Sequence, residues 1–258
     1  MSGAAMSAPT AGAAPAPALQ RVLAQARFET SVLLHNGEQL LVAIVLPALA
    51  LVGLTFAHVP DLGAGRRIDV VSPGVLALAV MSTAFTGQAI QTGFDRRYGV
   101  LRLLGTTPLG RGGLLLGKAL AVLVVEAIQV VVLGGLALAL GWHPHWAGVP
   151  VALLAGGLGT WAFVSLALLL AGTVRAEAVL ALANLVWVLL LAAGAVVVPA
   201  RTLPAGLESV AAWLPSGALG EGLRAALTHG GVDLRALLAL ALWGAVGTLA
   251  ARRLFRWS

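Results

Sequence analysis

The chain has 258 residues, of which 59% are hydrophobic and 10% charged, and its mean hydropathy is +0.96. Soluble domains carry about 25% charged residues, so an ordinary water-exposed fold is excluded: so few polar groups cannot cover so large an apolar volume, whereas lipid can. The absence of cysteine removes disulfides and thiolate metal sites, and the formal charge of +6 lies at the ends of apolar runs, which fits membrane topology rather than nucleic-acid binding.

Residues 1–18 are rich in Ala, Pro, Gly and Ser and are expected to be a disordered tail. They lack the basic start and apolar core of a signal peptide. Over residues 19–35, Leu19, Val22, Leu23, Ala26, Leu33 and Leu34 recur near helical spacing opposite Gln20, Arg21, Gln25 and Glu29. This pattern predicts an amphipathic helix lying on the inner membrane surface; a loose cytoplasmic helix is the other reading.

Residues 36–258 read as one membrane domain of six spans, each near the ~20 residues that crossing requires. The expected spans are 40–56, 73–93, 115–140, 149–172, 178–198 and 234–251. Ser72-Pro73 resembles an N-cap followed by a first-turn proline, so the second span is expected to begin there. Residues 199–233 contain two apolar-patterned stretches, 203–214 and 218–228, broken at Pro215. Each is too short to cross, which predicts a broken helical hairpin between spans five and six. The fold class is therefore an all-α integral membrane protein.

Orientation follows from the basic residues. With both termini on one side, eleven of the sixteen Lys and Arg fall on that side and five on the other, which places the termini in the cytoplasm. The ratio of fifteen arginines to one lysine suggests a GC-rich, bacterial source, and hence the plasma membrane.

The polar residues within the spans are few. Glu126, with Gln129 near it, is the one carboxylate in a spanning run; a charge there costs roughly 2.5–3.5 kcal/mol on insertion scales. It is expected to bond another span, with Asn184 in the fifth as the candidate, or else to meet substrate or a coupling proton. Thr83 and Gln91, with Ser82, Thr86 and Gly87, line the second span and point to helix packing, or less simply to a pathway. Gly112–Lys118 matches the spacing of a phosphate-binding loop, but Ala119 stands where a Ser or Thr should hold magnesium. The match is read as chance, with Lys118 snorkelling to the headgroups. Scattered histidines, including His143 and His145, complete no metal set, and no catalytic constellation emerges. The chain is not expected to be an enzyme or to hold a cofactor.

The loop after the second span is the most telling segment. Phe94-Asp95-Arg96-Arg97-Tyr98-Gly99-Val100-Leu101-Arg102-Leu103-Leu104-Gly105-Thr106-Thr107-Pro108-Leu109, followed by Arg111 and Gly117-Lys118, resembles the signature of ABC type 2 permeases. These are the membrane subunits of ATP-binding cassette exporters such as the daunorubicin-resistance type, many of which carry multidrug cargo. The resemblance extends along nearly the whole chain. It implies export of a lipophilic or lipid-linked substrate, driven by Mg-ATP hydrolysis on a separate cytoplasmic ATPase subunit. It also implies a second permease subunit, a homodimer in preference to a heterodimer, and a setting of membrane lipids without nucleic acid. By the same resemblance, Asp95–Leu104 is a coupling helix, with Asp95, Tyr98 and Gly99 among its ATPase-coupling residues: Leu101 and Leu104 would insert into the ATPase, while Arg96, Arg97 and Arg102 would make polar contacts. Thr107-Pro108 would end the helix, since proline disfavours a helical residue before it. Many members begin this stretch with a run of glutamates, whereas Asp95 is its only acid here. An ion-gradient-driven secondary transporter is the alternative, but it would need more intramembrane charge than Glu126 and repeated halves.

Overall fold

A computed structural model describes residues 16–57, 62, 65–204 and 206–255, apart from the Glu38 side chain. Residues 1–15 of the tail expected over 1–18, His58 and Arg256 lie outside them, and Ala18 already belongs to the first helix. The described residues contain helices and turns but no strand. In order these are α1 (Ala18–His35), α2 (Gly37–Phe56), α3 (Arg67–Met81), a π-helical segment (Ser82–Gly87), α4 (Gln88–Arg97) and α5 (Val100–Gly105). Then come α6 (Gly110–Ala139), α7 (Val149–Thr173), α8 (Ala176–Ala193), α9 (Leu207–Trp213), α10 (Pro215–His229) and α11 (Leu234–Leu254). Among the described residues, six helices are long and apolar enough to cross a bilayer, with α3, the π segment and α4 forming one helix of 31 residues. The chain is a multi-pass all-α membrane protein.

That 31-residue helix is the centre of the bundle, whereas α2 and α8 leave most of their surface open. Its π segment projects one side chain toward each neighbour. Thr83 Oγ1 accepts from Gln129 Nε2 on α6 at 2.9 Å, Phe85 meets Phe163 on α7 at 6.4 Å between ring centres, and Ser82 Oγ accepts from Trp187 Nε1 on α8 at 3.0 Å. A single wide turn thus aims three contacts at three helices.

The second span begins at Arg67, not at Ser72-Pro73. Ser72 is helical, with its hydroxyl donating to Ile68 O at 2.7 Å, and Pro73 lies a turn and a half inside. Proline lacks the N–H that would serve Asp69 O. That carbonyl instead accepts from Thr228 Oγ1 of α10 at 3.0 Å. Pro47 in α2 repeats the arrangement: it frees Ala43 O, which accepts from Gln129 Nε2 at 2.8 Å. In lipid a freed carbonyl has no water to turn to, so a neighbouring helix must supply the donor. The proline that resembled a helix start is an interior proline answered from another element.

At the end of the bundle away from α1 and α5, Leu214 separates α9 from α10 and Pro215 opens α10, giving the broken hairpin that the sequence predicts. Helix α10 sinks between α3, α7 and α11. Its Arg224 is buried, donating to Val196 O and Ala195 O at 3.0 Å each and pairing with Glu221 at 3.1 Å. Burial lowers the Arg224 pKa, and Glu221 opposes the shift.

Thr228→Val should lower stability by about 1–3 kcal/mol, the cost of an unpaired buried carbonyl. In a Pro73→Ala background the same substitution should cost less, since the introduced alanine supplies an N–H to Asp69 O. Thermal unfolding of the four proteins in one detergent measures that difference.

Candidate functional site

The arginine-rich loop and the helix before α2 meet at one end of the bundle. Helix α1 packs along α6, where Gly113 and Gly117 stand one turn apart. A Cβ on Gly117 would lie 2.7 Å from Gln25 Cγ, and one on Gly113 would lie 3.7 Å from Val22 Cγ2. The glycines that mimic a phosphate loop are thus the opening turns of α6, where they form a small-residue groove for another helix.

The face that α1 buries is not its leucine face. Gln25, Ala26, Glu29 and Leu33 are buried, while Leu19, Leu23, Phe28, Val32 and Leu34 are exposed. Helix α1 packs on the bundle by its polar face: the exposed apolar side chains can face lipid, whereas Gln25 and Glu29 find their partners in the protein interior. Those partners centre on Lys118. Its side chain is wholly buried rather than snorkelling, with Nζ 3.0 Å from Glu29 Oε2 and 3.1 Å from Asp95 Oδ2. Glu29 also accepts from Gln25 Nε2 at 2.8 Å and Gln91 Nε2 at 3.1 Å. Three donors on one carboxylate account for its tolerance of burial. Removing Lys118 would leave Glu29 as a buried unpaired charge, a loss of about 3–5 kcal/mol.

This network redefines the loop residues. Asp95 turns inward to Lys118 and keeps 22% of its side chain exposed. Arg96 Nη1 donates to Val174 O at 2.8 Å and to Ala171 O at 3.3 Å, serving the last carbonyls of α7, a favourable place for a cation. Gly99, at φ 77°, makes the left-handed turn from α4 into α5, which a residue with a Cβ would enter only under strain. Helix α5 then lies with Leu101 wholly buried and Leu104 half-buried against the bundle core. The two leucines expected to insert into a partner face inward instead, because helical spacing places 101 and 104 on one side and the core claims that side. The end of α4 and the exposed side of α5 carry Arg97, Tyr98, Arg102 and Leu103, with Tyr98 73% and Leu103 69% exposed. Helix α5 ends at Gly105; the Thr106 and Thr107 hydroxyls donate to Leu103 O and Leu104 O at 2.7 and 2.6 Å. Pro108 O accepts from Arg21 of α1.

Several polar residues deeper in the spans are engaged within the chain, whereas Thr86 Oγ1, Thr92 Oγ1 and Glu126 Oε1 are buried without a hydrogen-bond partner. Thr83 and Gln129 bond each other, and Gln91 reaches Glu29. Glu126 is buried, its Oε2 2.6 Å from Thr160 Oγ1 of α7. The contact expected with Asn184 is not made, because Asn184 lies on the exposed face of α8. Sequence reading missed Glu29, Lys118, Gln25 and Thr160 as partners. Their signal was present: Glu29 and Gln25 lie one turn apart, Glu29 is the only acid of α1, and Lys118 is the sole lysine.

A comparison with curated proteins finds no match. The ABC-2 family transporter protein family matches residues 67–253, which is well over half the chain and runs from the start of α3 to the end of α11.

Leu101→Asp should destabilise the fold by at least about 3 kcal/mol, since it exchanges a buried leucine for a charge. Leu103→Asp should leave the melting temperature of the isolated protein unchanged within error. Equal losses in the two variants would contradict this placement of α5.

From the matched span and the six crossing helices, this chain belongs to the ABC-2 transporter family, as a membrane component.

Proposed function

We propose that this chain is the permease subunit of an exporter in a bacterial plasma membrane, coupled to a separate cytoplasmic ABC ATPase that holds Mg-ATP. Two copies would form the pathway, with N and C termini in the cytoplasm, as the distribution of arginines favours. The cargo class would be lipophilic or lipid-linked, in keeping with the apolar interior of the bundle. ATP-driven closure of the motor subunits would press on α5 and switch access across the bilayer.

The single observation that carries this reading is the exposed side of α5. Tyr98, at the end of α4 and stacked on Phe94, and Leu103, on α5, stand out beside Arg97 and Arg102, and the opposite side of α5 is anchored by Leu101. An aromatic and a leucine left uncovered beside two arginines make a compact anchor for a protein groove rather than for water. Asp95, Arg96 and Leu101 then act behind the contact, holding the turn in place. The secondary-transport reading finds less support: Glu126 is satisfied in part by Thr160, and the interior Lys118 is committed to Glu29 and Asp95.

Co-expression with the ABC ATPases of the same genome tests the proposal. Tyr98→Ala with Leu103→Asp should remove hot-spot contacts worth at least about 2 kcal/mol, weakening retention of the ATPase roughly 30-fold with insertion and stability intact. Undiminished retention by that well-folded variant would contradict the docking role.

A further inference from the structure

We propose that Lys118 is a two-armed joint that makes α1, the α4–α5 turn and the start of α6 move as one body. A push on α5 would then reach α1 through charged contacts rather than through the apolar core. This deepens the reading of α5 as a docking turn and rests on it for its functional meaning.

The argument starts from what each contact can transmit. Apolar packing between helices is non-directional and permits sliding, whereas a charge-assisted hydrogen bond near 3 Å fixes both separation and direction. The Lys118 ammonium has three donors and no acceptor, and it places two of them on carboxylates from different elements: Glu29 of α1 at 3.0 Å and Asp95 of α4 at 3.1 Å. Asp95 stands in the last turn of α4, just before the Gly99 turn into α5. Next to it, Arg96 holds the end of α7. On the other arm, Glu29 is clamped by Gln25 and Gln91, so its carboxylate cannot turn away without losing three donors. The Lys118 side chain is fully buried and Glu29 nearly so, while Asp95 keeps 22% of its side chain exposed. Gly117 beside it brings α1 close enough for the shorter arm.

The two arms can be cut separately. Asp95→Asn removes charge from the α5 arm and leaves Glu29–Lys118 in place; Glu29→Gln does the converse. The chain has no cysteine, so spin labels can be introduced at Phe28 on α1, Leu103 on α5 and Val131 on α6, all exposed positions. Pulsed electron–electron distances between 28 and 131, and between 103 and 131, are measured on the permease alone in liposomes. Asp95→Asn should broaden the 103–131 distribution and leave 28–131 narrow, and Glu29→Gln should broaden 28–131 and leave 103–131 narrow. Lys118→Met, if it folds, should broaden both. Unchanged distributions in the two amide variants, or broadening of both distances by each of them, would overturn the joint; the second pattern is what a merely structural network would give. Because no ATPase is present, this outcome is independent of docking. A selective split together with full ATPase retention by the Tyr98→Ala, Leu103→Asp variant would keep the joint and remove the docking reading.

Discussion

A lysine buried between two carboxylates is the constraint from which the rest of this end of the molecule follows. An isolated charge at the start of α6 would be costly in lipid and protein alike. Its pairing with Glu29 and Asp95 dictates which face α1 turns inward, where α4 must end, and how α5 leaves the bundle. Once Asp95 and Arg96 are tied to α6 and α7, Gly99 can reverse the chain and Leu101 can seat in the core. What remains outside is the narrow strip Arg97, Tyr98, Arg102 and Leu103.

The same logic of polar satisfaction governs the spans. Two prolines interrupt helices, and each freed carbonyl receives a donor from a distant element, Gln129 for Pro47 and Thr228 for Pro73. The π segment aims Ser82, Thr83 and Phe85 at three helices in turn. In a bilayer, where apolar association lacks the drive it has in water, such bonds and close glycine contacts give the bundle its specificity.

The spans, their number and the broken hairpin were legible because each depends on apolar length and on breaking residues, which are local properties. The family resemblance was legible in the loop between the second and third spans. What could not be read from pattern alone was orientation about the helix axis. Periodicity shows that α1 has two faces, but not that the polar one, with Gln25 and Glu29, is buried in the protein around Lys118. The same ambiguity hid Leu101: spacing places it with Leu104, and only the packing of α5 on the core shows that this side faces inward. Pro73 misled because a proline early in a helix and one answered by a neighbour look alike in sequence; the difference lies in Thr228, 155 residues away in the chain.

The central claim is that a pinned elbow presents Leu103 on the cytoplasmic side of a membrane permease. The chain is free of cysteine, so the most direct measurement is the reaction of a Leu103→Cys variant with a membrane-impermeant thiol reagent. The account predicts no labelling in intact cells and rapid labelling in inside-out vesicles. Labelling of intact cells from the medium would contradict it.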